Sequence, residues 1–394
     1  MEEEKEFDQW GPELVVKVFD SDLGMSGFLV VDNTLLGLGK GGVRMTPNVT
    51  EEEVRRLARA MTWKNALAGI PFGGAKAGIV WPASAELQRS GARGLDELKK
   101  KFVQSFARRI ADLIPSKYIA GPDVNTGEKE MQWFAEAAGS WGAATGKPSQ
   151  FCELVFGEGK SVTQCGIPHE FGSTGLGVAH ATKVAAELMG LPLRGATVAI
   201  HGFGNVGTFA YRFLEDMGAK VVAIADIGGA VYAKNGFELS QVKEIIEKRE
   251  SIAAYKGGEK ISSDAFWGLS VDILIPASVT DVIHAGNKDA IQAKIIVEGG
   301  NIPMKEDIEE ELYRRGICIV PDFVANAGGV ISSFCEHKGY SPEKMLQIVE
   351  EKITQSTRAV MKESLEQKEY PRAVALKLAQ DIVLKATLRT EVIS

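Results

Sequence analysis

The stretch "TVAIHGFGNVGTFAYRFLEDMGAKVVAIAD", Thr197 to Asp226, restricts the fold of this chain more than any other. An apolar run ends at His201, and a glycine phrase follows. Next comes a segment with Phe209, Phe213 and Leu214 on one helical side, and then a second apolar run ending in Asp226. That order predicts a strand, a helix and a second, parallel strand. Gly202, Gly204 and Gly207 stand in G-x-G-x-x-G spacing, a weak signal alone and a strong one in this setting. Gly202 permits the tight turn, Gly204 lets the backbone approach a pyrophosphate, and Gly207 lets helix and strand pack closely. With Asn205 and Val206 they open a helix whose free N–H groups suit an anion. Asp226 lies where an acid accepts hydrogen bonds from a ribose, which favours NAD over NADP. The alternative for Asp226 is a turn residue before Gly228 and Gly229.

The same alternation continues through "VDILIPAS", "KIIVEGG" and "ICIVPD", which extends the parallel sheet and its covering helices. Upstream, "ELVVKVFD" and "SGFLVVDN" read as strands joined by a short turn. "TEEEVRRLARAMTWKNALAG" reads as a helix opened by Thr50 and Glu53 in capping-box spacing. "ELKKKFVQSFARRIADLI" buries Phe102, Phe106, Ile110 and Leu113. The glycine-rich stretch 157–175 reads as a crossing between domains. Amphipathic helices, one opened by Pro342, end the sequence. The predicted fold class is α/β with two domains. An N-terminal α/β substrate and oligomerisation domain spans 1–165, completed by helices at about 345–394. A doubly wound, Rossmann-type dinucleotide domain with a parallel sheet spans 166–344.

Composition narrows the function. A formal charge of -7 argues against a nucleic-acid binder. No run of apolar residues is long enough to span a bilayer, and "MEEEKEFDQW" lacks the order of a signal peptide. Neither an H-E-x-x-H phrase nor a Cys/His cluster suggests a metal site. Cys152, Cys165, Cys318 and Cys335 form no C-x-x-C pair, so the reading is buried thiols in a reducing, cytoplasmic setting.

Three lysines sit in unusual company: Lys40 in "GKGGVR", Lys64 in "MTWKNA" and Lys76 in "FGGAKAG". Composition alone favours a surface turn for Lys76, and Lys64 on a helical apolar stripe can extend its ammonium to solvent. Convergence of the three instead makes a site for a dianionic small substrate. Mutual repulsion then lowers the pKa of the most desolvated amine, making it a usable general base. Asp123 in "GPDVNTG" adds an acid in a loop, or else an Asx-type turn.

The phrases "KGGVRMTP", "MTWKNALAGIPFGGAKAG", "GPDVNTG", "GFGNVG", "EGGN" and "PDFVANAGGV" together resemble the glutamate/leucine/phenylalanine/valine dehydrogenase family. The resemblance runs from about Val15 to the C-terminus. It implies oxidative deamination of an amino acid by hydride transfer to NAD or NADP in a cleft between domains, in a homo-oligomer, commonly a hexamer. By resemblance, Lys64 holds the α-carboxylate, Lys76 is the catalytic lysine, and Asp123 exchanges protons with the substrate nitrogen. Lys40, supported by Ser333, pairs with a side-chain carboxylate. Asn301, Asn326 and Thr174 are similar to residues around the nicotinamide and its ribose. Relatives acting on leucine or phenylalanine are apolar at the positions of Lys40 and Ser333, so the implied substrates are glutamate, 2-oxoglutarate and ammonium.

Departures from the family pattern are expected to reshape the pocket or the cofactor grip. "GGAKAG" places Ala75 and Ala77 beside Lys76, "EGGNIP" replaces "EGANGP", and "GIPHEFGSTGLG" lacks the Arg and Glu that often precede the threonine. Two alternatives remain at this stage: a dehydrogenase for another amino acid, and a non-catalytic nucleotide-binding partner subunit.

Overall fold

A computed structural model describes residues 7–82, 91–157 and 160–391. The chain divides into two compact units, one of 1–171, 330–345 and 379–394, the other of 172–329 and 346–378. None of the described helices is long and apolar enough to cross a membrane.

The first unit is built on five strands: β1 (Leu14–Asp20), β2 (Met25–Asn33), β3 (Gly39–Thr46), β4 (Gly73–Val80) and β5 (Tyr118–Pro122), in the order β1-β2-β4-β3-β5. β2 runs antiparallel to both β1 and β4, whereas β3 is parallel to β4 and β5. Helix α1 (Glu51–Leu67) starts where Thr50 Oγ1 accepts the Glu53 N–H at 3.2 Å, with three glutamates in its first turn and Lys64 in its last. This cap satisfies a donor that would otherwise be unpaired, and the acids complement the helix dipole. Val54 and Ala58 of α1 pack on Val30 and Val49. Phe102 and Phe106 of α2 (Gly91–Arg109) and Phe134 of α3 (Glu128–Ala138) share a core with Met25, Leu29 and Val43.

Side chains alternate across β4, and this corrects the expectation for Ala75 and Ala77. Both methyls belong to the core that holds Phe102 and Phe134, whereas side chains at 74 and 78 would meet Thr62 and Val54 of α1. Lys76 shares the face of 74 and 78, because residues two apart on a strand point the same way. The two alanines therefore thicken the core and leave the lysine's side of the strand unchanged.

Much of the stretch expected as a domain crossing is a hairpin, β6 (Cys152–Gly157) against β7 (Lys160–Cys165). The division between units falls later in the same stretch, between Phe171 and Gly172. Cys152 and Cys165 face each other across the hairpin with Cα atoms 4.0 Å apart and form a disulfide. Only Cys318 and Cys335 are buried free thiols, so the expectation of four thiols is corrected. The spacing gave no warning, since a 13-residue separation acquires meaning only once the strands pair.

The second unit opens with α4 (Ser173–Leu188), β8 (Thr197–His201), α5 (Asn205–Asp216) and β9 (Lys220–Asp226). β10 (Gly229–Tyr232), α6 (Leu239–Glu247), β11 (Glu259–Ile261), α7 (Ser263–Trp267), β12 (Ile273–Pro276) and β13 (Ile295–Val297) follow. α8 (Glu306–Arg314), β14 (Cys318–Val320) and α9 (Asp322–Ala325) complete its sheet and cover. Strand order is β11-β10-β9-β8-β12-β13-β14, parallel from β9 to β14. β10 runs antiparallel to both β9 and the edge strand β11, a feature the sequence did not announce. Asp226 pairs with Gly229, so the chain reverses through Ile227 and Gly228 rather than crossing over a helix. Helices α10 (Gly328–His337), α11 (Pro342–Gln367) and α12 (Pro371–Glu391) close the chain.

Two outcomes follow. Ala75→Gly and Ala77→Gly, assayed by denaturant unfolding, should each lose about 1–2 kcal/mol through the missing methyl and the added backbone freedom, with substrate KM unchanged. Titration of the unfolded, unreduced chain with a thiol reagent should find Cys318 and Cys335 alone, with Cys152 and Cys165 joining after reduction.

Candidate active site

In the second unit the glycine phrase joins β8 to α5 as expected, and each glycine has a distinct reason. Gly202 has φ +105°, and a side chain there would strike the Ala277 backbone at 2.6 Å. A side chain at 207 would lie 1.8 Å from the Gly202 carbonyl, whereas one at 204 would meet nothing within 4 Å. The open side of Gly204 is where a pyrophosphate can approach the N–H groups that begin α5 at Asn205 and Val206. A groove of about 1070 Å³ runs beside this turn, lined by Gly202, Gly204, Asn205, Asp226, Arg249 and Ser251 among others. Its size and fittings suit a dinucleotide.

Asp226 ends β9 at this groove, with its carboxylate already engaged. Oδ1 accepts from the Gly228 N–H at 2.8 Å and the Ser251 hydroxyl at 2.6 Å, and Oδ2 accepts from the Ile252 N–H at 2.7 Å. A carboxylate offers about four acceptor directions, so room for a ribose hydroxyl remains. Arg249, held at φ +54°, brings a cation to the same groove.

Asn301 and Asn326 meet: the Asn326 amide donates to Asn301 Oδ1 at 2.9 Å and to the Gly300 carbonyl at 3.1 Å. The next residue, Ile302, takes φ +48°, a region that a β-branched side chain occupies under strain. The departure from "EGANGP" thus replaces a glycine suited to that conformation with one that is not. The strained turn is tied down by Asp322, whose Oδ2 accepts the Ile302 N–H at 3.0 Å. Behind it Arg372 contacts Glu298, Glu309 and Asp322 at 2.7, 2.6 and 3.0 Å. Burial first, then the neighbouring Glu309, drives the Glu298 carboxyl well above its ordinary pKa. Thr174 lies in the first turn of α4, its hydroxyl 3.1 Å from where a side chain on Gly329 would begin.

In the first unit Lys40, Lys76 and Asp123 belong to three adjacent parallel strands, with Lys40 level with the start of β5 and Asp123 just past its end. Lys40 lies on β3, Lys76 on β4, and Asp123 directly after β5. Lys76 Nζ is 2.9 Å from Asp123 Oδ2, and Arg44 Nε reaches the same oxygen at 3.1 Å. Burial alone would raise the Asp123 pKa, but the charges of Lys76 and Arg44 hold it below the ordinary value. A side chain at Gly42 would press on Asp123 Cβ at 2.7 Å, so the glycine makes space for the acid.

Lys40 is the most desolvated of these cations, only 2% exposed. Its amine donates to the Ala120 carbonyl at 2.9 Å, and a side chain at Gly121 would sit 2.5 Å from Nζ. Glycine at 121 is therefore a condition for housing the ammonium. Burial lowers the Lys40 pKa to about 7; Glu336 opposes that shift, while Lys147 and Lys76 add to it. Desolvation and repulsion thus act together on Lys40. Lys64 lies in the last turn of α1, and the adjacent Asn65 amide donates to the Gly73 carbonyl at 2.7 Å, joining that turn to β4. Ser333 lies on α10, in the part of that helix that belongs to the first unit.

Sequence reasoning did not single out Arg44, Glu336, Lys147 or Arg372. Arg44 carried one available signal, since it lies four residues after Lys40 on a strand and hence on the same face. The others gave none.

Two sequence profiles match the chain: the Glu/Leu/Phe/Val dehydrogenase dimerisation domain over residues 12–139, and Glutamate/Leucine/Phenylalanine/Valine dehydrogenase over 165–390. An NADP-specific glutamate dehydrogenase of Saccharolobus shibatae is 35% identical, over 95% of this chain and 89% of that protein. An NAD-specific glutamate dehydrogenase of Peptoniphilus asaccharolyticus is 34% identical, over 82% and 73%. A solved hetero-hexameric glutamate dehydrogenase from Thermus thermophilus, in a leucine-bound form, has a TM-score of 0.78 at 28% identity, covering 96% of this chain and 90% of that one. With paired lysine and aspartate in one unit and a glycine-turned dinucleotide groove in the other, the chain belongs to the Glu/Leu/Phe/Val dehydrogenase family.

Proposed function

We propose that the protein oxidatively deaminates L-glutamate to 2-oxoglutarate and ammonium, with hydride transfer to NAD or NADP, and catalyses the reverse reductive amination. The observation that carries the choice of substrate is Lys40, a buried amine in a seat that glycine keeps open, on the sheet that holds Lys76 beside Asp123. An amino acid with a methyl-ended side chain would leave such a cation without a counter-charge, a costly state in a dehydrated site. Relatives named glutamate dehydrogenases support the same reading.

In this reading Lys64 holds the substrate α-carboxylate, and Lys40 with Ser333 holds the side-chain carboxylate. A nicotinamide held in the groove of the second unit would supply the acceptor for the α-hydrogen and its electron pair. Lys76 takes a proton from the water that attacks the resulting imine, and Asp123 moves protons to and from the nitrogen. Arg44 gives this pair a second cation: as Lys76 gives up its proton, the guanidinium 3.1 Å from Asp123 Oδ2 keeps a counter-charge on the carboxylate. The Gly202–Gly204–Gly207 turn with Asn205 and Val206 holds the pyrophosphate. Asp226 faces the adenosine ribose, and Thr174, Asn301 and Asn326 steady the nicotinamide half. Arg249 offers a 2′-phosphate its counter-ion, so both dinucleotides are accommodated. The first unit serves substrate binding and oligomerisation, the second serves the cofactor, and the assembly is a cytoplasmic homohexamer.

Initial rates with glutamate and leucine, each with NAD and NADP, test the assignment. Glutamate should exceed leucine in kcat/KM by at least about 100-fold, as a site with a buried polar partner left unpaired discriminates strongly. Lys76→Ala should lower kcat by about 10³, the range for loss of a general base. Near-wild-type turnover in that variant would remove Lys76 from the role.

Lys40 adds a pH signature. With a pKa of about 7 it is largely neutral at pH 8, and a carboxylate partner favours its charged form. Glutamate binding at pH 8 should therefore take up a proton, visible as a calorimetric heat that changes with buffer ionisation enthalpy. Affinity should fall as pH rises above 7.

A further inference from the structure

Behind Lys40 lies a second buried cation, balanced by a buried anion. Lys147 and Glu336 are 1% and 0% exposed at their side chains, with Nζ and Oε1 2.5 Å apart. Lys147 also donates to the Ala144 carbonyl and lies 4.1 Å from the centre of the Trp141 ring. Glu336 Oε2 accepts two backbone N–H groups, from Gly146 at 2.8 Å and Ile167 at 2.7 Å. The Gln164 amide donates to the Glu336 carbonyl.

This pair is continuous with the seat of Lys40. The Ala120 carbonyl that accepts from Lys40 also accepts the Thr145 N–H at 3.0 Å. The neighbouring residues of Thr145, Ala144 and Gly146, are those held by Lys147 and Glu336. Glu336 also lies three residues after Ser333 on α10, one helical turn away on a shared face. With the Lys40 amine protonated, Lys40, Lys147 and Glu336 together carry two positive charges and one negative. Glu336 neutralises Lys147, and a single unpaired positive charge is left at Lys40.

We infer that Glu336 and Lys147 are positioning residues that set substrate specificity: their pairing fixes the Ala144–Gly146 stretch against the Ala120 carbonyl that holds Lys40 and leaves the pocket one cation in excess, so that it accepts a side chain bearing one carboxylate. The inference rests on the reading of Lys40 as the partner of the substrate's side-chain carboxylate. With glutamate bound, two cations face two anions. The buried cluster is then neutral, which a dehydrated site favours.

Charge counting supplies a test that simple structural support would fail. Glu336→Gln leaves two facing cations and disfavours charge on Lys40, so glutamate KM should rise by at least about tenfold, a factor worth one small step in binding free energy, with kcat little changed. Lys147→Met leaves Glu336 to neutralise Lys40, so glutamate KM should also rise, while norvaline, of similar length and uncharged, should be used better than by wild type. The double variant Glu336→Gln/Lys147→Met again holds one cation at Lys40, and its glutamate KM should return toward the wild-type value. Loss of buried contacts alone would make the double variant worse than either single one, and that outcome overturns the proposal. Should Glu336→Gln fail to fold, the double variant beside Lys147→Met still decides the matter, because recovery of KM is expected only from charge balance. Lys40→Met separates the two levels. If it leaves glutamate KM unchanged, the assigned role of Lys40 fails; if it raises KM while Glu336→Gln does not, only the role of the pair fails.

Discussion

The rest of the site depends on keeping an ammonium group dry. Water is a better environment for a charged amine than any protein interior, so each feature around Lys40 reads as a response to that cost. A carbonyl from β5 accepts a hydrogen bond from it, a glycine at 121 leaves the volume for the head group, and Glu336 supplies opposite charge. Even so, burial leaves the amine near its neutralisation point, where small changes in surrounding charge decide its state. A group balanced in this way responds strongly to an arriving carboxylate and weakly to an apolar side chain.

The two units use glycine for opposite purposes. In the first, glycines at 42 and 121 clear room for protein side chains, Asp123 and Lys40. In the second, Gly204 clears room for something the protein does not itself supply, since a side chain there would touch nothing. The loop after β13 departs from this economy: Ile302 holds a left-handed backbone that glycine would adopt freely, fastened by Asp322 beside the Arg372 cluster. Strain next to Asn301 is maintained by a buried network rather than by local preference.

Features written in local spacing were legible in the sequence. The strand, glycine turn and helix from Thr197 to Asp226 follow from periodicity, and the α1 cap from two residues three apart. Lys76 was legible as an anomaly, an amine among apolar neighbours. What could not be read are partnerships across long stretches of chain: Arg44 with Asp123 over 79 residues, Glu336 with Gly146 over 190, Arg372 with Glu298 over 74. Charged residues at such separations look like ordinary surface positions until the fold pairs them. The effect of Ala75 and Ala77 was unreadable for a related reason: adjacency in sequence is not adjacency in space, and the pleat sends their methyls to the opposite face.

The first unit is discontinuous: residues 330–345 return to it after the chain has built the second. Glu336 arrives with that returning segment, whereas Lys147 was laid down early. During synthesis the N-terminal portion therefore contains an interior cation whose neutralising carboxylate does not yet exist. A fragment cut after residue 171 would lack Glu336 and leave Lys147 without the carboxylate that pairs with it. The ion pair of the first unit thus closes across the whole of the second, the kind of non-local contact that carries a loop-closure cost in folding.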